Sequence, residues 1–343
     1  MGVYHLMGLG RSPGTVIGPL TYLAHRYQRW NADDQRFFAR SGEARQRQAG
    51  QKVGDVQALV LFTTPEVLSG QVLAFNYVDN PPGRIAKGPE KSGGPMKKIL
   101  EDLLCREWPA ISGGRQSGTI FWCEVDRRNI RTTYERVVRV VAALAGVGQG
   151  KEIWVNLTGG NNVINFALEL AAVLSGDVAR MYYVQAENEN AEKCVRFTAE
   201  DGYWVDLPVM PLALDRAVRA TLDLLKQCGP LSAEDLYSRL HTHGTYWYVV
   251  REIEQEILKD VSQDISQEEL QEICKRVFQR MYLAPMWKKG LIAEVEGRYV
   301  VGPQWELVRP YQELLEEARA AKLSIEALAQ QEPWLEEKEL LLG

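Results

Sequence analysis

The segment Glu152–Gln185 constrains the fold of this chain more than any other stretch of its sequence. It begins with an apolar run typical of a buried strand (153–157), followed by five small polar residues, Thr158-Gly159-Gly160-Asn161-Asn162. An amphipathic, alanine-rich helix and a second apolar strand (181–184) come next. This order of strand, turn, helix and strand predicts a unit of an open, mostly parallel α/β sheet.

The polar turn of this unit is a candidate binding site. In an open α/β sheet, ligands bind beyond the C-terminal ends of the strands, where loops meet helix N-termini. Gly159 and Gly160 let the backbone approach a ligand, and the free N–H groups at the start of the next helix favour an anion. The alternative is that the glycines form only a tight turn, although five small polar residues are more than such a turn needs.

Three more apolar segments in the first half predict strands of the same sheet, each ending in a polar turn. The strands are Val3–Leu9, Ala58–Phe62 and Thr119–Val125. The turns that follow them begin with Gly10-Arg11-Ser12, Thr63-Thr64 and Asp126-Arg127. Because the C-terminal ends of parallel strands meet at one edge, we expect all four polar turns to face one rim. Cys194–Phe197 and Tyr203–Leu207 flank a polar turn and predict a closing hairpin.

A family resemblance appears at Asn156-Leu157-Thr158-Gly159-Gly160 and the alanine-rich helix after it. These residues resemble the signature turn of the CRISPR-associated Rossmann-fold (CARF) sensor domains, which dimerise and bind cyclic oligoadenylate, the second messenger of type III CRISPR complexes. The resemblance covers residues 1–207 and implies a homodimeric sensor without a cofactor, with cyclic tetra-adenylate as the favoured ligand. Many relatives continue the turn with Thr-Lys, whereas this chain has Asn161-Asn162, which favours binding over cleavage.

The converging turns and the resemblance together predict the ligand contacts. Backbone N–H groups and Arg11 suit phosphates, and the amides of asparagine and glutamine suit adenine edges. The predicted ligand-binding residues are Gly10, Arg11, Ser12, Thr63, Thr64, Asp126, Arg127, Asn156, Thr158, Gly159, Gly160, Asn161, Asn162 and Gln185. We expect bulkier residues at the two glycines to abolish binding without unfolding the chain. For each residue, the alternative is a structural role in a turn or helix cap.

The same ligand could be cut, which would make the protein a ring nuclease. Attack of a ribose 2′-OH on the adjacent phosphate needs positioning and charge stabilisation but no metal. By resemblance to relatives with this activity, Arg11 and Ser12 are the candidates for catalysis. Arg239 and His243 do not have the spacing of the HEPN ribonuclease found in many CARF effectors. Glu336-Glu337-Lys338 matches a nuclease pattern only superficially, because we expect it in a charged terminal helix.

Composition indicates a globular protein of about two domains. The 343 residues are 45% hydrophobic and 25% charged, with a net charge of -5. No apolar run reaches the ~18 residues that cross a bilayer, and the N-terminus lacks the pattern of a signal peptide. The five scattered cysteines form no CxxC pair, and no histidine and cysteine cluster suggests a metal site. We therefore expect a cytoplasmic protein without membrane contact or bound metal.

The second half changes pattern near Pro208. Helices are predicted over 214–227, 233–240 and 267–283, followed by short strands over 292–295 and 298–301. This order resembles a winged helix-turn-helix domain over 208–310, which implies a transcriptional regulator that binds double-stranded DNA. Residues 311–343 are expected to form an acidic, helical extension. The predicted fold is thus a Rossmann-like α/β domain (1–207), an α+β winged-helix domain and a C-terminal helix.

The charge of this second half is unfavourable for DNA binding, because acidic residues outnumber basic ones by 23 to 16 from residue 207 onward. Basic residues nevertheless cluster on the predicted third helix and wing. The predicted DNA contacts are Lys275, Arg276, Arg280, Lys288, Lys289 and Arg298. The alternatives are a solvated basic face and a protein-interaction adaptor.

The segment 80–98 is rich in proline, glycine and basic residues, which predicts an exposed loop. Two interpretations stay open, an insertion without a role and a flap that covers an anionic ligand. The basic residues available to a flap are Arg84, Lys87, Lys91, Lys97 and Lys98.

Overall fold

A computed structural model of the protein describes residues 2–38, 56–80, 89–146, 151–186, 192–200, 202–209, 216–242, 251, 255 and 266–341. The chain forms two compact units, one of Met1–Leu212 with Leu314–Gly343 and the other of Ala213–Glu313. The second unit is therefore an insertion in the sequence of the first. None of the helices in the described ranges combines the length and apolar character of a membrane span.

The strands, in chain order, are β1 Val3–Gly8, β2 Val56–Thr63, β3 Tyr77–Val78, β4 Glu90–Lys91, β5 Ser117–Glu124, β6 Glu152–Asn156, β7 Arg180–Ala186, β8 Gly202–Leu207, β9 Ile292–Val295, β10 Arg298–Val301 and β11 Leu335–Leu341. The helices are α1 Gly14–Arg29, α2 Ala32–Phe38, α3 Pro65–Leu68, α4 Met96–Ile111, α5 Ile130–Ala145, α6 Asn162–Ser175, α7 Arg216–Cys228, α8 Ala233–Thr242, α9 Gln267–Phe278, α10 Ala284–Lys288, α11 Pro303–Ala321 and α12 Ile325–Gln331. A π-helical stretch, Gln279–Leu283, joins α9 to α10.

The first unit is built on a seven-stranded sheet in the order β11-β5-β2-β1-β6-β7-β8. The five inner strands are parallel, and the two edge strands are antiparallel to their neighbours. Helix α1 packs against α4, and α5 packs against α6. Right-handed crossovers place these two pairs on opposite faces, so the inner strands are covered on both sides and consist of buried apolar residues. The predicted α/β sheet is confirmed.

Two predictions about strand pairing were wrong. Strand β8 pairs with β7 instead of with residues 194–197. That segment crosses beside β3, where the N–H of Val195 donates to the carbonyl of Val78. The C-terminal extension is helical only as far as Gln331 and ends in β11, which lies antiparallel to β5. The charged residues of β11 suggested a helix. They occur in a strand because β11 lies at the edge of the sheet, where one side faces water and charged residues prevent pairing with a further strand.

Two of the charged residues of β11 pair with the neighbouring helix α4. Lys97 binds Glu336 at 2.8 Å, and Lys338 binds Glu101 at 2.6 Å. Glu336 and Lys338 therefore have structural partners, although the motif does lie on a strand. Within the described residues, no group of three or more histidine, cysteine or acidic side chains is placed to hold a metal ion.

The second unit contains α7, α8, the α9–α10 segment and the hairpin β9–β10. Leu231, just before α8, forms an antiparallel bridge to Tyr299 in β10. The hairpin turns at Glu296 and Gly297, both with positive φ, as a tight two-residue hairpin requires. The core is formed by apolar side chains from these elements and from the first turn of α11, among them Leu222, Leu236, Phe278, Met286 and, in α11, Trp305.

One titratable side chain lies in the centre of the first unit's sheet. His5 on β1 is fully buried, and its Nδ1 is 2.9 Å from the hydroxyl of Tyr182. Its ring also packs edge-on against Trp154. Burial, together with the nearby charge of Arg180, lowers the pKa of His5 from 6.5 to about 3. The folded protein therefore keeps this ring neutral where the unfolded chain would protonate it.

We predict that His5 makes the protein sensitive to acid. Between pH 6.5 and about 3 the unfolded state binds one proton more, so stability should fall as pH falls through this window. The free energy of unfolding should decrease by about 1.4 kcal/mol per pH unit from this residue alone. Urea unfolding of wild type and His5→Gln across this range gives the free energy of unfolding of each at every pH. The effect is the difference between the two slopes of this free energy against pH. Equal slopes would contradict the prediction.

Candidate ligand-binding site

The strand order of the first unit marks one place on the sheet edge. From β1 the chain proceeds to β2 and β5 on one side, and it then crosses to β6 and β7 on the other side. The reversal lies between β1 and β6, whose carboxyl ends lead into the 10–14 turn and the 157–161 turn. Open α/β sheets bind their ligands in the crevice at this switch point.

A cavity of about 1070 Å³ opens at this point. Its wall includes the turn after β1, the loop before β3, the turn after β6, the end of β7 and the residues before Cys194. Gly14 and Thr15, the first residues of α1, also line it. The partial positive charge of a helix N-terminus therefore faces the cavity.

Next to the cavity residues Thr15 and Thr158, the end of β1 contacts the turn after β6. A Cβ on Gly159 would lie 2.4 Å from the carbonyl oxygen of Gly8 and 2.6 Å from Oγ1 of Thr15. Gly160 has a φ of +85°, and a Cβ there would lie 3.0 Å from Cα of Gly8. Both positions need glycine because the two backbones touch. The expectation that bulkier residues would leave the fold intact was therefore wrong, since they would collide with main-chain atoms.

Three predicted ligand residues of the 156–161 segment hold the turn together. Asn156 is buried, accepts a hydrogen bond from the N–H of Thr158 at 2.8 Å and donates to the carbonyl of Thr15. Thr158 accepts from the N–H of Val184, which ties the turn to β7. Asn161 caps α6 by accepting from the N–H of Ile164. These side chains shape the wall, and only Thr158 among them also lines the cavity.

Arg11 forms a platform with an aromatic side chain at the cavity rim. Its guanidinium lies 4.3 Å from the ring centre of Phe75, and its Nε donates to the carbonyl of Leu73 at 3.0 Å. The N–H of Phe75 donates to the carbonyl of Arg11 at 2.8 Å. Phe75 remains 55% exposed. A guanidinium and an aromatic ring fixed in this way offer flat surfaces on which nucleobases stack.

The charged groups of the cavity nearly balance. Arg11 and Lys193 are basic, whereas Glu90 and Glu192 are acidic. Lys193 lies 3.8 Å from Glu90 on the surface. The site therefore has cations that can contact a phosphate, but its overall field does not strongly favour anions.

A buried ion network supports the wall from behind. Arg196 binds Asp79 at 2.6 Å and Glu107 at 2.7 Å. Burial alone would raise the pKa of the Asp79 carboxyl, but hydrogen bonds from Arg106 and Lys91 and the charge of Arg196 hold it below its ordinary value. Lys91 is thus bound to a carboxylate at 2.5 Å. The network connects the residue after β3, strand β4, helix α4 and the residues before β8.

The predicted flap of basic residues is only partly visible. Lys91 and Lys97 bind acidic side chains, and Lys98 is exposed. Arg84 and Lys87 lie outside the described residues.

The remaining predicted residues lie elsewhere on the same edge. Thr63 donates to the carbonyl of Leu9, and Asp126 accepts from the N–H of Arg128. Arg127 lies 3.7 Å from Glu66, so the turns after β2 and β5 meet each other. Of the fourteen predicted ligand residues, those that line the cavity are Arg11, Ser12, Thr158 and Gln185. The turns after β2 and β5 form a second group outside it.

Several cavity residues were missed from the sequence, notably Phe75, Tyr77, Tyr183 and Lys193. Phe75 was detectable only as an apolar residue in an otherwise polar loop, and Tyr183 was assigned to the core of β7. Lys193 follows a segment whose sequence has no helix or strand pattern.

The fold and the cavity define this protein as a doubly wound, Rossmann-like α/β protein with a crevice at its switch point. No family model matches the sequence. Over 232 residues it is 28% identical to an uncharacterized protein of Archaeoglobus fulgidus, an alignment that covers 66% of this chain and 67% of that protein. It is also similar to the structure of Enterococcus italicus Csm6 bound to cyclic hexa-2'-fluoro-hexa-dAMP, with 12% identity, a TM-score of 0.38, and coverage of 97% of this chain and 82% of that chain.

We predict that Gly159→Ala destabilises the protein and that Gly10→Ala does not. The new methyl group at 159 would overlap main-chain and side-chain atoms, whereas a Cβ at position 10 meets nothing within 4 Å. The free energy of unfolding should fall by about 1–3 kcal/mol in the first variant and change by less than about 0.5 kcal/mol in the second. Urea titrations measure both values, and equal stability of the two variants would contradict the described contact.

Proposed function

We propose that this protein is a cytoplasmic, homodimeric sensor that binds cyclic oligoadenylate in the switch-point cavity and couples binding to the second unit. The observation that carries the proposal is the position of the cavity. It opens beside the turn that resembles the CARF signature, and the Arg11–Phe75 platform lies on its rim.

Each part of such a ligand has a suitable partner in the cavity. An adenine base stacks on the Arg11–Phe75 platform, and the exposed amide of Gln185 can pair with an adenine edge. Lys193 and the N-terminus of α1 suit phosphates. The volume of about 1070 Å³ exceeds the roughly 300–1,000 Å³ typical of small-molecule pockets, which favours a ligand larger than one nucleotide. Cyclic tetra-adenylate is the first ligand to test.

We predict that a cyclic oligoadenylate stabilises the protein and that the platform supplies much of the affinity. A thermal-shift series with cyclic tri-, tetra- and hexa-adenylate should give a concentration-dependent rise in Tm by mass action. Because base stacking contributes about 1–3 kcal/mol per base, Phe75→Ala should weaken binding roughly 5- to 150-fold, as measured by calorimetry. Arg11→Ala should also weaken it.

The matched control is Arg36→Ala, which removes an arginine whose side chain is 77% exposed and lies outside the cavity. It should bind like wild type. The absence of a shift with every ring size would remove the sensor proposal, and equal loss in the control would remove the role of the platform.

Ring cleavage is the second candidate function. It is favoured by one observation, that both residues named as catalytic candidates, Arg11 and Ser12, line the cavity. Chromatography of the ligand after incubation with the protein and a metal chelator distinguishes the two functions. An intact ring supports a sensor. Linear products that disappear in Arg11→Ala would establish a ring nuclease.

For the second unit we favour a winged-helix output domain that binds double-stranded DNA. The Leu231–Tyr299 bridge and the β9–β10 hairpin support this interpretation. The predicted basic cluster contains two groups, however, of which the first lies against acidic residues. Lys275 binds both Glu234 and Glu272, and Arg276 lies beside the acidic first turns of α9. Among the described residues, no ion pair involves the four other predicted contacts, Arg280, Lys288, Lys289 and Arg298, which leaves them available to phosphates.

We predict weak, salt-dependent DNA binding that depends on this second group. Lys288→Gln with Lys289→Gln should lower the slope of log affinity against log salt by about 2, since each lost phosphate contact removes about 0.9. Lys275→Gln should change the slope little, because that ammonium is already paired. Mobility shifts at several salt concentrations test this. Unchanged retention in the double variant, or no retention of wild type even at low salt, would favour a protein-interaction adaptor.

A further inference from the structure

A second cavity, of about 490 Å³, lies at the opposite end of α1 from the switch-point cavity. Gly14 and Thr15, in the first turn of α1, line the switch-point cavity. Arg26 and Arg29, in the last turn of the same helix, line the second cavity. The rise of about 1.5 Å per helical residue separates these two places by roughly 20 Å. Among the described residues, none lines both cavities, so the second cavity is a separate candidate site.

Three guanidinium groups converge on the second cavity, those of Arg26, Arg29 and Arg36. The first two are held by the fully buried carboxylate of Asp34. This carboxylate accepts hydrogen bonds from Nη1 of Arg26 at 2.7 Å and from Nε and Nη2 of Arg29 at 2.9 and 2.8 Å. The guanidinium of Arg26 also lies 4.3 Å from the ring centre of Phe37. Two of the three cations are therefore fixed by the fold before any ligand binds.

The arginines of this cavity keep donors for a ligand. A guanidinium has five N–H donors. Arg29 uses three of them, two toward Asp34 and one toward Glu200. Arg36 uses one, toward Asp33, and its side chain is 77% exposed. Within the described ranges the other donors of these two side chains have no partner, so they can bind an anion in the planar geometry that suits phosphate.

The charges around the second cavity favour an anionic group. One aspartate of its wall, Asp206, accepts hydrogen bonds from Nε and Nη2 of the buried Arg180 at 2.6 and 2.9 Å, so these two charges offset each other. Asp33 and Asp34 are left to offset the three arginines that line the cavity. The side chain of Glu200 is 58% exposed, so water screens its charge. The surplus is one positive charge.

We propose that the second cavity binds a mononucleotide. Its phosphate accepts from the unused donors of Arg29 and Arg36. Asp33 accepts from a ribose hydroxyl, as acidic residues do in dinucleotide-binding folds, because Arg36 uses only one of its two carboxylate oxygens. Phe37 and Trp204 supply the apolar part of the wall, against which the base packs.

The size of the second cavity agrees with one nucleotide. Its volume of about 490 Å³ is less than half the 1070 Å³ of the switch-point cavity. It lies within the roughly 300–1,000 Å³ of sites for single small molecules. The inference goes beyond the proposed function and does not rest on it, because the two cavities share no residue among those described.

The test is isothermal titration calorimetry of the full chain with the 5′-monophosphates of adenosine, guanosine, cytidine and uridine. Wild type should bind at least one of them at a single site. Arg36→Ala should weaken this binding roughly tenfold, because it removes a charge-assisted contact to the phosphate. Arg36→Lys keeps the charge but not the planar fork, so it should weaken binding less. The nucleoside, which lacks the phosphate, and ribose 5-phosphate, which lacks the base, should each bind more weakly than the nucleotide.

The matched control is Phe75→Ala, which changes the switch-point cavity and leaves the second cavity unchanged. It should bind the mononucleotide like wild type, whereas Arg36→Ala should bind cyclic oligoadenylate like wild type. Opposite losses in the two variants would separate the two sites. If cyclic oligoadenylate does not bind but the mononucleotide does, the proposed function fails and the second site stands.

Circular dichroism establishes that each variant is folded. The inference is overturned if none of the four nucleotides binds, or if Arg36→Ala binds like wild type. It is also overturned if Phe75→Ala loses the mononucleotide, because the nucleotide would then occupy the switch-point cavity. Inorganic phosphate that binds as tightly as the nucleotide would overturn it as well, since ribose and base would then have no part in recognition.

Discussion

The first unit depends on a contact between two backbones at the carboxyl edge of its sheet. Gly8 on β1 and Gly159-Gly160 after β6 approach so closely that no side chain fits between them. Thr15 and Thr158, which lie next to this contact, line the cavity. The contact is possible because the residues on both sides of it are glycines.

Some polar groups around this contact stabilise the turn and the wall, and others keep hydrogen-bond donors that are not used within the described part of the protein. The side chains of Asn156 and Asn161 accept hydrogen bonds from main-chain N–H groups. Asp79, Glu107 and Arg196 neutralise one another behind the wall. Arg11 is fixed by one carbonyl and one ring, so its guanidinium keeps further donors for a ligand. Preorganisation of this kind lowers the entropic cost of binding.

The sequence predicted secondary structure well where segments are apolar and buried. It predicted less well where segments are charged or where the structure depends on contacts between distant residues. Strands β1, β2, β5 and β6 are apolar runs because both of their faces are covered, and periodicity finds such runs. Strand β11 is charged, so its pattern favoured a helix until its partner on β5 was known. Similarly, Lys275 was predicted as a DNA contact, but it pairs with Glu272 in its own helix and with Glu234, which is distant in sequence. Gly159 and Gly160 were correctly predicted at the carboxyl edge of the sheet. Their contact with Gly8 follows only from the order of the strands, which the sequence pattern does not give.

The position of the second unit within the sequence of the first has a consequence for synthesis on the ribosome. Strand β5 is made before the inserted unit, and its outer neighbour β11 is made only after it. All 101 residues of the inserted unit, Ala213–Glu313, are translated in between. During that interval the β5 edge and the pocket that later holds Trp334, Leu335 and Leu340 are open. The inserted unit can thus complete its own core first, and the nascent sheet presents an uncovered edge for which chaperones and other nascent chains compete.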